Sequence, residues 1–560
     1  APPGADCLCE PLAGQGSDPL FATPVSTARP LAAAPPRHAR PTYVLGLHEA
    51  AVMGMADGYA QASGRPAAVN VHVQPGLANA LSGIMNAARA RTPLLVTVGQ
   101  QVQAMLPGAP FLGGDLVALA RPVAKAVWEV PSAQRLPAMI AEALRVALTP
   151  PCGPVVVSLP LDVQAGPAPE RAHRAVTGVG APPSDPAALA SAARVVRGAR
   201  RRALSAGDGV PRRGGGGGVG ALAVRLGALL CGEPTAATVP LPTDHPLWRG
   251  QLPGFALEIR RRLSGHDLVL ALGLPVFRLF GDSPGSALAD DVRLIHVDVD
   301  PAEIGRSHRP AVGMVADPRA VAEGVLAALG EPDPAARERR GAAVAAAATG
   351  RRSVRAHALR AAAADSSRIT PEAFCLAVAD ALAPRDLLVD EALTSTRSLR
   401  SLVARRTPAT WLAHRGSALG WGLPAAVRAA LADRRRRGMC LQGDGGLLFG
   451  IHALWTAAHH RARVALVVAD NGGYEILRAG LEGLTGRAQD AWPGIAIADP
   501  RLDIAALCRG FGVDAQRVER RRELREAFVD LWQRTREGPA ALIVSVGGRT
   551  APVGYPLTPS

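Results

Sequence analysis

The stretch GDGGLLFGIHALWTAAHHRARVALVVADNGGYEILR, residues 443–478, decides the fold. A short apolar run, GMCLQ, ends just before it, and a second apolar run, VALVVAD, ends just before Asn471. The residues between the two runs are helix-like. A strand, a helix and a second strand in this order form a right-handed crossover, so the two strands are predicted to be parallel.

Asp444 and Asn471 then follow the carboxyl ends of two parallel strands, at the edge where open α/β sheets bind their ligands. Carboxylate and amide oxygens suit Mg²⁺ or Ca²⁺, with phosphates completing the coordination shell. Gly445 and Gly446 let backbone N–H groups approach a phosphate. A plain tight turn with an asparagine cap would explain GDG alone. The spaced Asn471 and the following NGGY favour a site for Mg²⁺ and a diphosphate.

The length and composition indicate a globular protein of several domains. At 560 residues, with 48% hydrophobic and 19% charged residues, the chain predicts two to four domains. No apolar run reaches the ~18–20 residues that cross a bilayer. The first residues, APPGADCLCEPLAGQGSDPL, lack the basic and apolar regions of a signal peptide. We therefore expect a cytoplasmic enzyme with no membrane partner.

The net charge of +15 does not predict nucleic-acid binding. Lys125 is the one lysine among 62 basic residues, and the arginines are scattered apart from short runs such as 434–437. A nucleic-acid surface needs a basic patch interleaved with aromatic residues, and aromatics make up only 4% of the chain. The 7 cysteines have no repeated spacing and predict neither a disulfide framework nor a zinc site.

Strand-like and helical segments alternate in three regions, which predicts an α/β fold with three doubly wound parallel-sheet domains. The predicted regions are 21–165, 185–330 and 368–550, and residues 1–20 are expected to be irregular. A Pro/Gly-rich linker separates the first two regions, and an Ala/Arg-rich stretch, 334–366, separates the last two. PRRGGGGGVG, 211–220, is interpreted as a surface loop.

Several motifs resemble the thiamine diphosphate enzymes, and among them the benzoylformate decarboxylases. They are GDG with the spaced asparagine, GLHEAAVMGMADGYAQASGRPAAVNVHV, NAARARTPLLVTVGQQ, GHDLVLALGLPVFR and RGSALGWGLPAAV. The resemblance covers all three regions and implies that they are the pyrimidine-binding, middle and diphosphate-binding domains. It also implies thiamine diphosphate and Mg²⁺ as cofactors, a small 2-oxo acid as substrate, and a homodimer or homotetramer.

The resemblance also assigns roles to individual residues. Glu49 would face N1′ of the aminopyrimidine, and His72 and Ser26 would lie near the substrate carboxylate. Leu419 would hold the cofactor in its bent shape. The remaining cofactor contacts would come from Gly443, Asp444, Gly445, Gly446, Asn471 and Gly473, of which Asp444, Asn471 and Gly473 would bind the metal. Taken alone, Glu49 would be interpreted as an acidic residue in the first turn of a helix, Leu419 as a core residue and His72 as a structural histidine.

Four positions depart from the family pattern. Val25 replaces a glycine of the loop before Ser26, where a side chain can strain the loop. Phe280 replaces the family's second catalytic histidine and cannot transfer a proton. Gly480 and Ala413 replace aromatic residues of the substrate pocket.

The first hypothesis is therefore a decarboxylase of benzoylformate-like 2-oxo acids that releases an aldehyde and CO₂, with carboligation as a further outcome. The alternatives are an acetolactate-synthase-like carboligase and a cofactor-binding pseudoenzyme.

Overall fold

The computed structural model describes residues 3–8, 19–24, 26–34, 42–169, 180–212, 214–281, 283–330, 334–364, 368–405, 407, 410–433, 435–488 and 492–548. Within these ranges the strands form three sheets of six strands each. Every strand pair in them is parallel. The predicted fold class is confirmed.

The first sheet has the order β2-β1-β3-β4-β6-β5. Its strands are β1 Pro19–Ala22, β2 Thr42–Leu45, β3 Ala67–His72, β4 Leu94–Gln100, β5 Ala126–Glu129 and β6 Val155–Pro160. Its helices are Arg29–Ala33, Glu49–Ser63, Val73–Arg89, Leu116–Ala120, Leu136–Leu148 and Leu161–Ala165. β1 begins at Pro19, inside the segment expected to be irregular; Gly4–Leu8 forms a 3-10 helix, and residues 9–18 lie outside the described residues.

The middle sheet has the order β12-β11-β10-β7-β8-β9. Its strands are β7 Arg202–Ala206, β8 Leu229–Gly232, β9 Trp248–Gln251, β10 Leu268–Leu272, β11 Arg293–Asp298 and β12 Val312–Val315. Its helices are Pro186–Arg197, Gly209–Arg212, Gly216–Leu226, Ala256–Leu263 and Pro318–Ala328. The interpretation of 211–220 as a loop was wrong, because a helix begins at Gly216 and is anchored by buried Val219, Leu222 and Leu226.

The third sheet has the order β14-β13-β15-β16-β18-β17. Its strands are β13 Leu387–Glu391, β14 Trp411–Leu412, β15 Gly438–Gly443, β16 Val464–Asp470, β17 Asp514–Val518 and β18 Ala540–Ser545. Its helices are Pro371–Ala381, Leu399–Leu402, Gly422–Ala432, Asp444–Gly450, Ala453–His459, Glu475–Thr485, Ile504–Gly510 and Leu524–Arg534. A long helix, Pro334–Ala364, connects the middle and third sheets.

The first and third domains pack through helices Glu49–Ser63 and Gly422–Ala432. The helices approach closely because Gly58 has no side chain: a Cβ there would lie 2.4 Å from Cα of Ala425. Trp421 donates from Nε1 to Oδ2 of buried Asp57 at 2.7 Å, and burial raises the pKa of Asp57. This junction fixes the third sheet against the first. Among the described residues no helix has the length and apolarity needed to cross a membrane.

Candidate active site

The predicted metal ligands meet at the carboxyl ends of β15 and β16. The two strands are parallel neighbours, with Gly443 opposite Ala469. The N–H of Gly473 donates to Oδ2 of Asp444 at 3.0 Å and to Oδ1 of Asn471 at 3.2 Å. Both side-chain oxygens therefore accept from one amide group at this edge of the sheet.

Asp444 is a buried carboxylate with no positive partner in the part of the chain that the structure describes. It is 4% exposed, and burial, reinforced by the nearby charge of Asp470, raises its pKa to about 6. No arginine or lysine among the described residues forms an ion pair with Asp444. Asp470, by contrast, accepts from Arg517 at 2.6 Å and from Arg501 at 3.3 Å. The missing positive charge at Asp444 is what a bound cation would supply.

The oxygen ligands here fit a hard divalent cation. In the described parts of the chain no group of three or more His, Cys, Asp or Glu side chains could hold a metal. A metal at this edge would therefore depend on the carboxylate of Asp444, the amide of Asn471 and a backbone carbonyl such as that of Gly473. Such oxygen ligands suit Mg²⁺, which usually keeps one or two carboxylates and takes further oxygens from a bound phosphate.

The glycines around Asp444 have different surroundings. A Cβ on Gly445 would lie 2.5 Å from the ring of Tyr474, so a side chain would collide there. A Cβ on Gly443 would meet no heavy atom within 4 Å, which leaves space beside Asp444. Near Gly446, the buried Oε1 of Gln442 has no hydrogen-bond partner among the described residues. The site therefore combines free space beside the backbone of Gly443 with a buried oxygen of Gln442 that accepts no hydrogen bond from the described residues.

A second cluster lies at the carboxyl ends of β1, β2 and β3. Glu49 begins the helix after β2 and accepts from Thr23 Oγ1 and from Asn79 Nδ2, both at 3.1 Å. His72 ends β3. A Cβ on Gly76 would lie 3.1 Å from both Glu49 Oε1 and His72 Cβ. The structure thus brings Glu49 and His72 together, with the two carboxylate oxygens of Glu49 held by separate donors.

His72 is held by a residue that the sequence did not single out. Its Nδ1 lies 3.1 Å from Oγ1 of Thr27, which is buried in the turn after β1. Burial lowers the pKa of His72, and the charge of Glu49 partly opposes this shift. The imidazole is therefore mostly neutral near pH 7. Ser26, exposed and adjacent to Thr27, lies at the same edge, whereas Val25 lies outside the described residues.

The loop that carries Leu419 is held from both sides. Glu391, 2% exposed at the end of β13, accepts from the N–H groups of Gly420 at 2.8 Å and Gly422 at 2.7 Å. From the first domain, Asn86 donates to the carbonyl of Ala418 at 2.9 Å and accepts from its N–H at 3.2 Å. Sequence reasoning missed both holding residues. The acidic end of the predicted strand DLLVDEA could be recognised in the sequence. The N–H groups that donate to Glu391, 29 to 31 positions later, could not.

Three of the positions that depart from the family pattern have surroundings that the structure describes: Phe280, Gly480 and Ala413. Phe280 is 61% exposed, its N–H donates to the carbonyl of Gly254 at 2.7 Å, and its ring meets Phe255 edge-on. Gly480, in helix Glu475–Thr485, has open space where a side chain would begin. Ala413 donates from its N–H to the carbonyl of Ala237 at 2.7 Å. No hydrogen bond or ring contact between described residues joins Phe280 to Glu49 or His72.

The chain matches three family models in the order that the sheets follow. They are described as the N-terminal TPP binding domain, the central domain and the C-terminal TPP binding domain of thiamine pyrophosphate enzymes, and they match residues 3–112, 189–325 and 394–544.

Three relatives share nearly the whole chain. A benzoylformate decarboxylase of Pseudomonas aeruginosa is 36% identical over 93% of this chain and 94% of its own length. An acetolactate synthase large subunit of Escherichia coli is 26% identical over 99% of this chain and 96% of its own length. The solved thiamine diphosphate-dependent 4-hydroxybenzoylformate decarboxylase of Rhodococcus jostii superposes with a TM-score of 0.84 at 28% identity, covering 98% of this chain and 99% of that one. The chain therefore belongs to the thiamine diphosphate-dependent enzymes and falls among their decarboxylases.

Proposed function

We propose that this protein uses thiamine diphosphate and Mg²⁺ to decarboxylate a benzoylformate-like 2-oxo acid, releasing an aldehyde and CO₂. The observation that carries the proposal is the pair of clusters at the sheet edges. Glu49 and His72 lie on the first sheet, and buried Asp444, which no described arginine or lysine neutralises, lies on the third. Two relatives are named for their action on benzoylformate and 4-hydroxybenzoylformate, which supports an aryl 2-oxo acid as substrate.

The residues of the third domain would hold the cofactor. Asp444, Asn471 and Gly473 would bind the cation. The open space beside Gly443 would leave room for the diphosphate, and Gly445 and Gly446 would offer it backbone N–H groups. Leu419 would support the bent cofactor. When bound, thiamine diphosphate supplies a nucleophilic carbon and accepts the electrons that CO₂ leaves behind.

The residues of the first domain would handle protons and substrate. Glu49, oriented by Thr23 and Asn79, would donate a hydrogen bond to the aminopyrimidine ring. His72, neutral near pH 7 and oriented through Nδ1 by Thr27, would transfer a proton near the reacting carbon. Ser26 would bind the substrate carboxylate through its hydroxyl group.

The complete site would form between two subunits. Within one chain no hydrogen bond or ion pair of the described residues joins the cluster around Glu49 to the cluster around Asp444. Large apolar side chains are exposed next to both clusters: Leu47 is 46% exposed, Phe449 is 52% exposed and Leu477 is 52% exposed. Covering these side chains with a second copy would bring the first domain of one subunit to the third domain of another, as a homodimer or homotetramer requires.

Carboligation is the second candidate, and Phe280 favours it. A phenylalanine at this position cannot deliver the proton that releases the aldehyde, so a second aldehyde or 2-oxo acid has longer to react. The acetolactate synthase among the relatives shows that this family also includes carboligases. Gly480 and Ala413, where the family has aromatic residues, would leave a wider pocket for the second substrate.

The test follows CO₂ release from protein loaded with thiamine diphosphate and Mg²⁺. The panel contains benzoylformate, 4-hydroxybenzoylformate and pyruvate, and the organic products are separated by chromatography. We expect the aryl substrates to release CO₂ fastest. Preferential use of pyruvate with acetolactate as product would favour the synthase alternative. Tight cofactor binding without CO₂ release from any substrate would favour the pseudoenzyme.

A further inference from the structure

A cavity of about 460 Å³ lies where the middle domain, the long connecting helix and the third domain meet. It is bounded by β9 and the loop before it, by helix Pro334–Ala364 and by the segment around helix Leu399–Leu402. None of its lining residues belongs to the two active-site clusters. Its size is typical of small-molecule sites, which often lie between domains.

The lining combines apolar groups with a concentration of positive charge. The apolar contributors include Trp248, Val354 and Leu402. Asp244 is the one carboxylate among the lining residues, against five arginines: Arg249, Arg262, Arg351, Arg355 and Arg400. The local charge balance therefore favours an anion.

The five arginines differ in how far carboxylates compensate their charge. Arg351 and Arg262 donate to backbone carbonyl oxygens, which carry no net charge. Arg400 also donates to a backbone carbonyl, and buried Asp390 lies near its guanidinium group. Arg355 lies 3.6 Å from its carboxylate partner, Asp380, at a half-exposed position. A bound anion would accept from these guanidinium groups and neutralise them, and such charge-assisted bonds are the strong ones.

A buried polar atom beside the cavity also lacks a partner. A small adjoining cavity shares Thr243, Trp248 and Arg400 with the large one and is also lined by Trp411. Trp411 is 1% exposed, and its Nε1 has no hydrogen-bond partner within the described parts of the chain. The guanidinium of Arg400 lies over the Trp411 ring, 4.6 Å from its centroid. Buried donors are normally satisfied, so this one points to a missing acceptor.

We propose that this cavity binds a small phosphate monoester with an apolar group. A phosphate monoester carries about two negative charges at pH 7 and three strong acceptor oxygens, which match a cavity lined by several arginines. The apolar group would lie against Trp248 and Val354. This ligand is neither the proposed substrate nor the cofactor, and its site is separate from both.

The experiment titrates the protein, saturated with thiamine diphosphate and Mg²⁺, with butyl phosphate in a calorimeter. Saturating the cofactor site prevents the phosphate from binding there. Inorganic phosphate is the second arm, because it has the charge without the apolar group. The test variant is Arg249→Gln/Arg355→Gln, which removes two lining charges from positions that are at least partly exposed. The matched control is Arg463→Gln/Arg536→Gln, which removes the same charge from a separate arginine-lined depression on the third domain.

We expect one butyl phosphate per chain, tighter binding than inorganic phosphate, and roughly tenfold weaker binding in the test variant, since each exposed charge pair contributes a factor of a few. The control should stay within about twofold of the wild type. Two results would overturn the proposed site: an equal loss of butyl phosphate affinity in the test and control variants, or no saturable binding of butyl phosphate by the wild type. Equal affinity for inorganic and butyl phosphate would overturn the apolar half of the proposal.

Discussion

Replacing Asp444 with asparagine should make the cofactor-free protein more stable while removing its cation-dependent cofactor binding. Burial raises the pKa of Asp444 from 3.8 to about 6. Two pKa units at about 1.4 kcal/mol each mean that the ionised side chain lowers the free energy of unfolding by roughly 3 kcal/mol at neutral pH. The introduced asparagine would place an amide donor near the N–H groups that donate to Asp444, which offsets part of the gain. We expect a net stabilisation of about 1–2 kcal/mol.

The sign of the pH dependence follows from the direction of the shift. Because the folded-state pKa is raised, the unfolded state of the wild type holds fewer protons between about pH 4 and pH 6. The wild type therefore loses stability as pH rises through this window, and the asparagine variant does not. The difference in the free energy of unfolding between Asp444→Asn and the wild type should be largest at pH 8 and smaller at pH 5. Cation-dependent cofactor binding by the wild type should weaken as pH falls below about 6, where Asp444 takes up its proton.

The assay has two parts. Thermal melting of the cofactor-free proteins at pH 8 and pH 5 measures stability, and calorimetry with thiamine diphosphate in the presence of Mg²⁺ measures affinity. We expect the affinity of Asp444→Asn to fall at least ~100-fold, equivalent to ~3 kcal/mol. Asp470→Asn is the matched control: Asp470 is also buried but is paired with Arg517 and Arg501, so its loss should lower the melting temperature at pH 8.

Two results would refute the reasoning. A cofactor-free Asp444→Asn protein that melts below the wild type at pH 8 would show that Asp444 is already compensated in the fold. Unchanged affinity for thiamine diphosphate with Mg²⁺ would show that Asp444 does not bind the cation.

Three further predictions concern proton transfer and cofactor support. Glu49→Gln should leave thiamine diphosphate affinity within a few-fold of the wild type but slow deuterium exchange at the cofactor's C2. NMR after acid quench measures the exchange, and an unchanged rate would rule out a role of Glu49 in activating the cofactor. Phe280→His should raise aldehyde release relative to 2-hydroxy ketone, because a positioned acid contributes ~10²–10⁴-fold; an unchanged product ratio on benzoylformate with added aldehyde places Phe280 away from the reacting carbon. Glu391→Gln should lower the melting temperature, because the introduced amide nitrogen would replace an oxygen that accepts from buried N–H groups of the Leu419 loop, and an unsatisfied buried donor costs about 1–3 kcal/mol. It should also raise KM for the cofactor, and a normal melting temperature would contradict this support.

The sequence predicted the α/β class because its apolar runs and helical segments alternate in the same order as the strands and helices. It misjudged 211–220, where five consecutive glycines suggested a loop. Tertiary contacts overrode that preference, because Val219, Leu222 and Leu226 pack into the middle-domain core. Glycine lowers helix propensity by about 1 kcal/mol per residue, and burial of such side chains offsets that cost.

The sequence by itself determined that Asp444 and Asn471 share an edge, because a short crossover between parallel strands leaves no other arrangement. Only the tertiary structure showed that Asp444 is buried and has no positive partner among the described residues. That depends on where Arg501 and Arg517 lie, and both pair with Asp470 instead. The Glu391 bonds that hold the Leu419 loop, and the cavity lined by five arginines, likewise join residues distant in the chain. Spacing in a sequence fixes local geometry, whereas charge compensation depends on which distant side chains the fold brings together.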